Sequence, residues 1–550
     1  MGPDGDLVRG GWLPTVEVNG GRCAEGLLGV LHRAHEVRRL ELPVPVMLPA
    51  VLRQTLLPVV MDALGAPRTP QEWADRFERG RFTPEELERL EDYLGPRFGD
   101  RFRLFDSERP FAQVAGLTAV SGETKSSTLL VPYIASGNNV PLFSTLSEAD
   151  ALDLTLAQAA LWLLHAQCWD TAAIKTGAQG DPKVAKGKTT GNPTGPLGQL
   201  GVIVPTGRTL YETLLLNAPI LPDGLHPGDR PQWDTAEPAT PQWSSRPARG
   251  LLDLMTFQSR RIRLLPHETE NGVRVRQVVI CAGDRLERTA QEELHTAWNH
   301  TAKPKAGQSP QRPRRHTSGR AAWQGLAALL AFTLPADGNG PTTSLLLRQI
   351  GDLRAEGYLA DDYPLGIETC GLEYGNQSAV VENAIADNIP LPVAALVTQD
   401  TDLREAILEC VAQADQVARA LDRLHTELRR SAGGEALPRD KGERPGQRLL
   451  HAVDDRMRRL LAGLRHVEGD LDLLERGREA WELTLWQAAH READQLLAAT
   501  PPRAVIGRVI KENNKETMHR SGRAEAWFRT ALREALPRAA EARQTTGTAA

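Results

Sequence analysis

Apolar residues recur at intervals of three and four through the last third of the chain. Between 402 and 431 they fall at Leu403, Ile407, Cys410, Val411, Ala414, Val417, Leu421, Leu424 and Leu428, the spacing of one helix face. Gly433 and Gly434 end that run. Residues 446–467 repeat the pattern with Leu449, Val453, Met457, Leu460, Leu461 and Leu464. Residues 472–499 follow with Leu474, Trp481, Leu483, Leu485, Ala489 and Leu496, stopped by Pro501-Pro502, and 524–536 supplies a fourth segment. Four amphipathic helices with mostly short connections predict an antiparallel bundle over residues 392–550, with a loose tail after Arg543.

The pattern before residue 391 is mixed. Residues 12–18 predict a strand stopped by Asn19-Gly20-Gly21. Residues 23–39 carry Leu27, Leu28, Val30, Leu31 and Ala34 at helical spacing, and 50–64 predict a buried helix kinked at Pro58. Thr69-Pro70 and Thr83-Pro84 are cap signals for helices over 71–79 and 85–94. Residues 101–114 form an aromatic loop with its Phe side chains inward. Residues 129–134 predict a strand, 136–139 a turn, and 148–169 a core helix opened by Ser147. After a glycine-rich gap, 202–204 and 210–216 resume order, and 222–249 is a long Pro/Trp-rich loop. Residues 262–265 and 273–281 alternate as a hairpin around Glu270-Asn271-Gly272. Helices over 323–332 and 345–358 and a strand over 365–370 complete this part. The fold class is α+β: a large mixed N-terminal domain, residues 1–391, with short antiparallel strands, then the all-α four-helix bundle.

At 550 residues the chain is long enough for at least two domains. The net charge of −5 means that any polyanion site is local. No run of about 18 apolar residues predicts a membrane span, and the start MGPDGDLVRGGW has no apolar signal core. The five cysteines are scattered without a CxxC pair, which favours a reducing compartment and argues against a cysteine-based zinc site.

Three stretches carry candidate chemistry. From Lys175 to Gly207 the chain holds eight glycines and four lysines against one acid, Asp181. Glycine permits close backbone approach and lysine supplies counter-charge, so the stretch reads either as a polyanion cradle or as a mobile surface loop. Residues 299–320 carry Lys303, Lys305, Arg312, Arg314, Arg315 and Arg320 with no acid, a solvated charge run or a phosphate contact. Gly375-Asn376-Gln377-Ser378 is a polar tip after a strand. His32 and His35 lack a third metal ligand, and pairs such as Asp361-Asp362 and Asp454-Asp455 are expected by chance among 70 acids. No phosphate-binding loop, nucleophile elbow, metalloprotease or dinucleotide motif sits in usable context, so no catalytic residue, metal or cofactor is assigned. That favours a binding or assembly protein. A metal-dependent nucleic-acid enzyme and a generic helical scaffold stay open as alternatives.

Taken in order, several segments resemble the CasA family, the large subunit of the type I-E CRISPR surveillance complex, Cascade. They are Trp12-Leu13-Pro14, the RAHE segment from Arg33 to Glu36, Phe105-Asp106 with Pro110-Phe111, and the 136–143 turn. The glycine-lysine stretch with Arg208-Thr209-Leu210, then Arg249-Gly250-Leu251, Gly375-Asn376-Gln377-Ser378-Ala379 and the helical C-terminal part extend the likeness over most of the chain.

The resemblance implies a cytoplasmic, non-catalytic subunit in antiviral defence, bound to guide-RNA-containing Cascade subunits and to double-stranded target DNA. In such complexes base pairing reads the target and the protein reads a short flanking motif, the PAM. The family reads it from the minor groove with a glycine loop and a lysine, starts the R-loop with a glutamine wedge, and recruits a helicase-nuclease. By resemblance the glycine loop falls on Gly177, Ala178, Gln179 and Gly180, and the wedge on Gln377 flanked by Asn376 and Ser378. Lys303 and Lys305 stand for the groove-reading lysine, which does not align clearly. Lys183, Lys186 and Lys188 are implied phosphate contacts that order on DNA. Asn138 and Asn139 lie in a loop implied to contact the complex. Exposed Arg429, Arg430, Arg458 and Arg459 of the bundle read either as contacts to the displaced strand or as ordinary solvated faces.

Overall fold

The computed structural model describes residues 1–134, 152–287, 293–398, 401–436, 442–467, 469–512 and 515–548. The chain divides into two compact units. The first comprises Met1–Arg320, Ala328–Leu359 and Leu365–Asn388; the second comprises Ala321–Ala327, Ala360–Pro364 and Ile389–Ala550. The architecture is mixed α+β, with short strands in several small sheets and a C-terminal helical region.

In the first unit, Leu13–Glu17 is the central strand of a three-stranded antiparallel sheet between Arg22–Glu25 and Val37–Leu40. The helix expected over 23–39 is therefore only Leu27–His32. Pairing across the sheet overrides the local helical spacing on both sides of it. Arg33 ends the helix by bonding Glu17, Glu25 (2.9 Å) and Glu36 (3.0 Å), which locks the three strands' connections together. His32 faces Glu91 at 3.0 Å.

The apolar run after it is helical as Met47–Val51, a wide π turn Leu52–Leu56, and Leu57–Leu64. Pro58 has no N–H and its ring crowds the preceding turn, so the wide turn just before it absorbs the proline that was expected to kink the helix. By length and composition the helical run Met47–Leu64 would cross a membrane, but it is 83% buried inside the protein. Its three buried polar residues are bonded there: Arg53 pairs with Glu293 (2.9 Å), the Gln54 amide donates to the Met255 carbonyl (3.0 Å), and the Thr55 hydroxyl donates to the Val51 carbonyl (2.6 Å). It is a core helix.

Thr69 and Thr83 cap Pro70–Arg79 and Pro84–Asp92, the second through a full capping box with Glu86. Phe102 and Phe111 are buried as expected and stack at 5.1 Å. Trp233 from the Pro/Trp-rich loop sits 4.9 Å from Phe102 and donates its N–H to the Tyr93 hydroxyl (2.7 Å). In place of a strand over 129–134 the chain makes a 3-10 turn, Ser127–Leu130, because the Ser126 side chain caps the Thr128 N–H. The core helix expected over 148–169 starts at Leu156. Thr155 and Gln158 form its capping box, and Leu154–Thr155 is already committed to pairing with the 272–282 strand. The hairpin is Arg260–Thr269 with Gly272–Ala282, turned by Glu270-Asn271. Val202–Thr206 pairs antiparallel with Gly366–Tyr374, whose other neighbour is Val381–Pro390. The helix expected over 323–332 is only a 3-10 turn, Ala322–Gly325, and one turn, Leu326–Leu329. The Leu329 carbonyl accepts from the Thr343 hydroxyl (2.6 Å), 14 positions further along, and this bond takes the place of another helical turn.

The second unit is built on Asp402–Ser431, Pro445–Leu464, Leu471–Ala498 and Ser521–Ala535, within a few residues of the four expected helices. Leu421, Leu424, Leu449, Met457, Leu461, Leu485 and Phe528 are among its most buried side chains. Two features depart from expectation. A hairpin, Arg508–Glu512 with Lys515–His519, stands between the third and fourth helices. The tail is helical as Pro537–Thr548 rather than loose. Leu536 and Ala539 are fully buried, the Ala539 N–H donates to Glu482 (3.1 Å), and Arg538 bridges Glu482 (2.7 Å) and Glu409 (3.0 Å).

Candidate nucleic-acid interface

The glycine-lysine stretch is anchored at both ends by one buried arginine. Arg260, at the start of the long hairpin, donates to the Asp170 carboxylate and to the carbonyls of Thr171 and Pro193, each of the latter at 2.8 Å. Lys175 joins Asp170 at 2.6 Å. Burial pushes the Asp170 carboxyl up, but Lys175 and Arg260 outweigh that and hold it at about 2. One of the four lysines is thus internal and unavailable to a ligand. The Gly195 N–H donates to the Asp170 carbonyl (2.9 Å), and a Cβ at Gly195 would sit 2.4 Å from the Cys168 carbonyl, so only glycine closes this base.

Beyond the base the chain folds back on itself. Lys175–Thr176 pairs with Lys188–Thr189, and the Gly177 N–H donates to the Gly187 carbonyl (2.9 Å). Ala185 and Lys188 exchange two backbone bonds, with Lys186 at φ 51° and Gly187 at φ 74° between them. That is a two-residue type I′ hairpin tip. The stretch is therefore a built hairpin, not the loop expected to order on DNA. Lys186 and Lys188 are exposed at its tip.

The proposed groove-reading segment divides. Gly177 and Ala178 are buried: Val184 occupies the space of a Gly177 side chain, and Ala178 packs with Val114, Leu117, Val279 and Cys281. Their backbone bonds to 118–120, with Val120 donating to Gly177 and Gln179 to Thr118, both at 2.9 Å. Neither Gly177 nor Ala178 presents a surface to a groove. Gln179 and Gly180 are exposed, and Gly180 stands at φ 85° in open space.

Asn376 and Gln377 are exposed at the tip between two paired strands, in a 3-10 turn. Gln377 and Ser378 both adopt left-handed conformations, φ 52° and 55°, which are strained for residues with a side chain. This turn is joined to the root of the hairpin stretch. The Ala172 N–H donates to the Ser378 carbonyl (2.8 Å), and the Tyr374 hydroxyl donates to the Trp169 carbonyl (2.6 Å). That hydroxyl also fills the space a Gly198 side chain would need. The glutamine turn and the lysine hairpin thus share one base.

The second basic stretch reaches the same place. The Gly201 N–H donates to the Arg314 carbonyl (3.1 Å), and the Arg315 guanidinium donates to the Gln199 carbonyl (3.3 Å). Part of it is ordered as strand: Trp298–His300 pairs with Gln311–Pro313 and with Gly340–Thr342. Lys303 and Lys305 are exposed in the connection between the first two. No hydrogen bond ties either lysine to the Gly180 or Gln377 turns among the described residues. Asn138 and Asn139 lie outside the described residues. In the bundle, Arg430 faces Glu427 (3.7 Å), Arg458 and Arg459 pair with Asp454 (2.8 Å) and Asp455 (2.9 Å), and Arg429 donates to the Glu435 carbonyl (2.9 Å).

Three residues central to this geometry have no role assigned from the sequence: Arg260, Arg285 and Trp243, the last read only as part of the Pro/Trp-rich loop. Trp243 donates to Asp181 (3.0 Å), Arg285 lies over the Trp243 ring at 3.9 Å, and Arg285 donates to the Thr190 carbonyl (2.6 Å). These contacts span more than 40 positions of chain, which no local pattern reports.

The family model described as CRISPR-associated protein Cse1 matches residues 6–491. The CRISPR-associated protein CasA/Cse1 of Thermus thermophilus is 30% identical over 543 residues, covering 93% of this chain and 98% of that protein. The crystal structure of Thermobifida fusca Cse1 superposes with a TM-score of 0.81 at 30% identity, over 97% of this chain and 98% of the other. A chain of a solved CRISPR RNA-guided surveillance complex shares the fold at 19% identity, with a TM-score of 0.64 over 90% of this chain and 99% of that one. The chain belongs to the CRISPR-associated Cse1 family.

Proposed function

We propose that this Cse1-family chain is the large, non-catalytic subunit of an RNA-guided type I-E CRISPR complex, Cascade, acting in cytoplasmic antiviral defence. In this reading guide-RNA-containing partner subunits supply sequence recognition, and this subunit reads the PAM of double-stranded target DNA. The Gln179-Gly180 turn enters the minor groove, where base pairs differ in few donors and acceptors and related motifs are accepted together. Lys303 or Lys305 assists from the second basic stretch. Gln377, flanked by Asn376 and Ser378, inserts beneath the motif and begins R-loop formation. Unstacking one step costs a few kcal/mol, and a wedge already held in its strained shape loses little entropy on insertion. Lys186 and Lys188 contact phosphates. Asn138 and Asn139 belong to a loop facing the complex, and the assembled R-loop recruits a helicase-nuclease.

The observation that carries this reading is the shared base: the exposed glutamine turn is hydrogen-bonded to 169–172, the segment from which the exposed lysine hairpin springs and to which Gly195 at its far end is bonded. In the reconstituted complex, Gln377→Ala is expected to abolish R-loop formation more than PAM-duplex binding, and Gly180→Pro to weaken both. Unchanged binding and unchanged R-loop formation in both variants sink the assignment. The purified chain with Mg²⁺ or Mn²⁺ is expected to leave DNA and RNA intact; cleavage that disappears in a carboxylate variant would establish an enzyme instead.

A further inference from the structure

We propose that Trp243 is a positioning residue that holds the lysine hairpin in its DNA-facing shape before DNA arrives, and that Lys183 belongs to this brace rather than to the phosphate contacts. The inference rests on the reading of the hairpin as a DNA interface. Asp181, the one acid of the stretch, is buried and uses both carboxylate oxygens inside the protein. One accepts the Lys183 backbone N–H and the other the Trp243 indole N–H, each at 3.0 Å. The Lys183 ammonium lies 4.0 Å from the centre of the Trp243 ring and donates to the Trp243 carbonyl. The Arg285 guanidinium lies 3.9 Å from the same ring and donates to the Thr190 carbonyl (2.6 Å) and the Asn192 side chain (3.3 Å). Cations over the negative face of an indole are attracted to it, and more strongly as water is excluded.

One aromatic ring therefore grips both limbs of the hairpin, 181–183 directly and 190–192 through Arg285. The tip between them, carrying Lys186 and Lys188, projects from a fixed base. A binding loop that is already ordered gives up less conformational entropy to its ligand. Lys183 differs from its neighbours at the tip. Its charge is turned back onto Trp243, whereas Lys186 and Lys188 have no ion pair among the described residues.

The test uses the reconstituted complex with guide RNA and a PAM-containing duplex, with affinity measured across a range of salt, together with tryptic cleavage of the full chain at Lys183, Lys186 and Lys188. Trp243→Ala is expected to speed cleavage at least tenfold and to weaken binding about tenfold, the equivalent of re-ordering about one residue. The slope of log affinity against log salt should not change. Trp243→Phe keeps the ring without the indole donor and falls between. Lys183→Ala should behave like Trp243→Ala. Lys186→Ala should instead reduce the salt slope by about 0.9, the signature of one lost phosphate contact. A Lys183→Ala slope reduced like that of Lys186→Ala overturns the assignment of Lys183. Wild-type cleavage and affinity in Trp243→Ala, with Lys186→Ala still weakened, overturns the brace and leaves the DNA reading standing. No effect from Lys186→Ala and Lys188→Ala defeats the DNA reading, and the cleavage rates then decide the brace alone. If Trp243→Ala does not fold, Trp243→Phe and Lys183→Ala carry the same comparison.

Discussion

Replacing Arg260 by Met removes the clamp on the hairpin stretch while keeping an unbranched side chain of similar reach. The guanidinium is 1% exposed and donates to the Asp170 carboxylate and to the carbonyls of Ser259 (2.7 Å), Thr171 and Pro193 (both 2.8 Å) and Asp170 (3.4 Å). Methionine leaves Lys175 as the only cation on Asp170. It also takes the guanidinium away from the half-buried Thr171 and Pro193 carbonyls at opposite ends of the stretch, each bond worth about 1 kcal/mol. Breaking a buried ion pair from one side costs about 3–5 kcal/mol. The terms overlap because they belong to one side chain, so the expected loss is about 3–5 kcal/mol in total. It should appear as local opening of 171–195, since the two anchored ends are what Arg260 joins. Amide hydrogen exchange read by mass spectrometry on the full chain measures this directly. A loss of about 3 kcal/mol corresponds to roughly a hundredfold faster exchange, while peptides from the Asp402–Ser431 helix should not change. Arg260→Lys restores the charge but not the planar fork, and should fall between wild type and Met. Adding Asp170→Asn to Arg260→Met should deepen the loss, because the Lys175 ammonium is then left without the carboxylate it pairs with. Exchange in 171–195 that stays at the wild-type rate, or that rises equally in the bundle, refutes the clamp.

Four further outcomes follow from the same geometry. Asp170 is held at about 2, below the 3.8 of a free aspartate, so its contribution is full above about pH 4 and is lost as pH falls toward 2. The stability difference between wild type and Asp170→Asn should shrink by about 2 kcal/mol over that window in acid-titrated unfolding. Gln377→Gly removes an exposed side chain and relaxes a left-handed residue. Thermal unfolding should be unchanged or stabilised by up to about 1 kcal/mol, while R-loop formation is lost, which separates strain from function. Gly195→Ala puts a methyl group 2.4 Å from the Cys168 carbonyl and should lose about 2–3 kcal/mol in urea unfolding. Gly180→Ala meets open space and should lose only about 1 kcal/mol, from its left-handed backbone.

What the sequence reports well is what depends on neighbours in the chain. The bundle helices, the caps at Thr69 and Thr83 and the hairpin around Glu270-Asn271 are all written in local spacing. Errors gather where a distant segment overrides a local preference. Residues 23–25 pair with Leu13–Glu17 instead of continuing a helix, and Thr343 takes the carbonyl at which the 323–332 helix stops. The last helix was missed because Leu536 and Ala539 are too few to show a period, although Arg538 binds three acids around them. At the interface, composition marked the hairpin stretch and the Gln377 tip separately. It did not show that Gly177 and Ala178 are interior, since glycine for close packing and glycine for ligand approach look alike in a sequence.

On the proposed DNA-binding reading, a chain of net charge −5 has to concentrate its positive field locally, and the structure keeps the acids of this stretch turned inward. Asp170 is half-buried and paired with Arg260 and Lys175, and Asp181 is buried against Trp243 and the Lys183 backbone. Neither carboxylate faces outward. Lys186, Lys188, Arg312 and Arg315 are left exposed around the shared base, with the Gln377 turn beside them. The acids thus stiffen the interface without weakening its field. Exchanging Asp181 for Asn should keep most of the hydrogen bonds and barely raise target affinity, because a buried, paired carboxylate adds little to the outer potential. Placing a new acid at Gly187, in the exposed tip, should weaken binding several-fold at low salt and much less at high salt. An Asp181→Asn variant that gains affinity as strongly as the Gly187→Asp variant loses it would mean that Asp181 faces the DNA and that the brace is not its role.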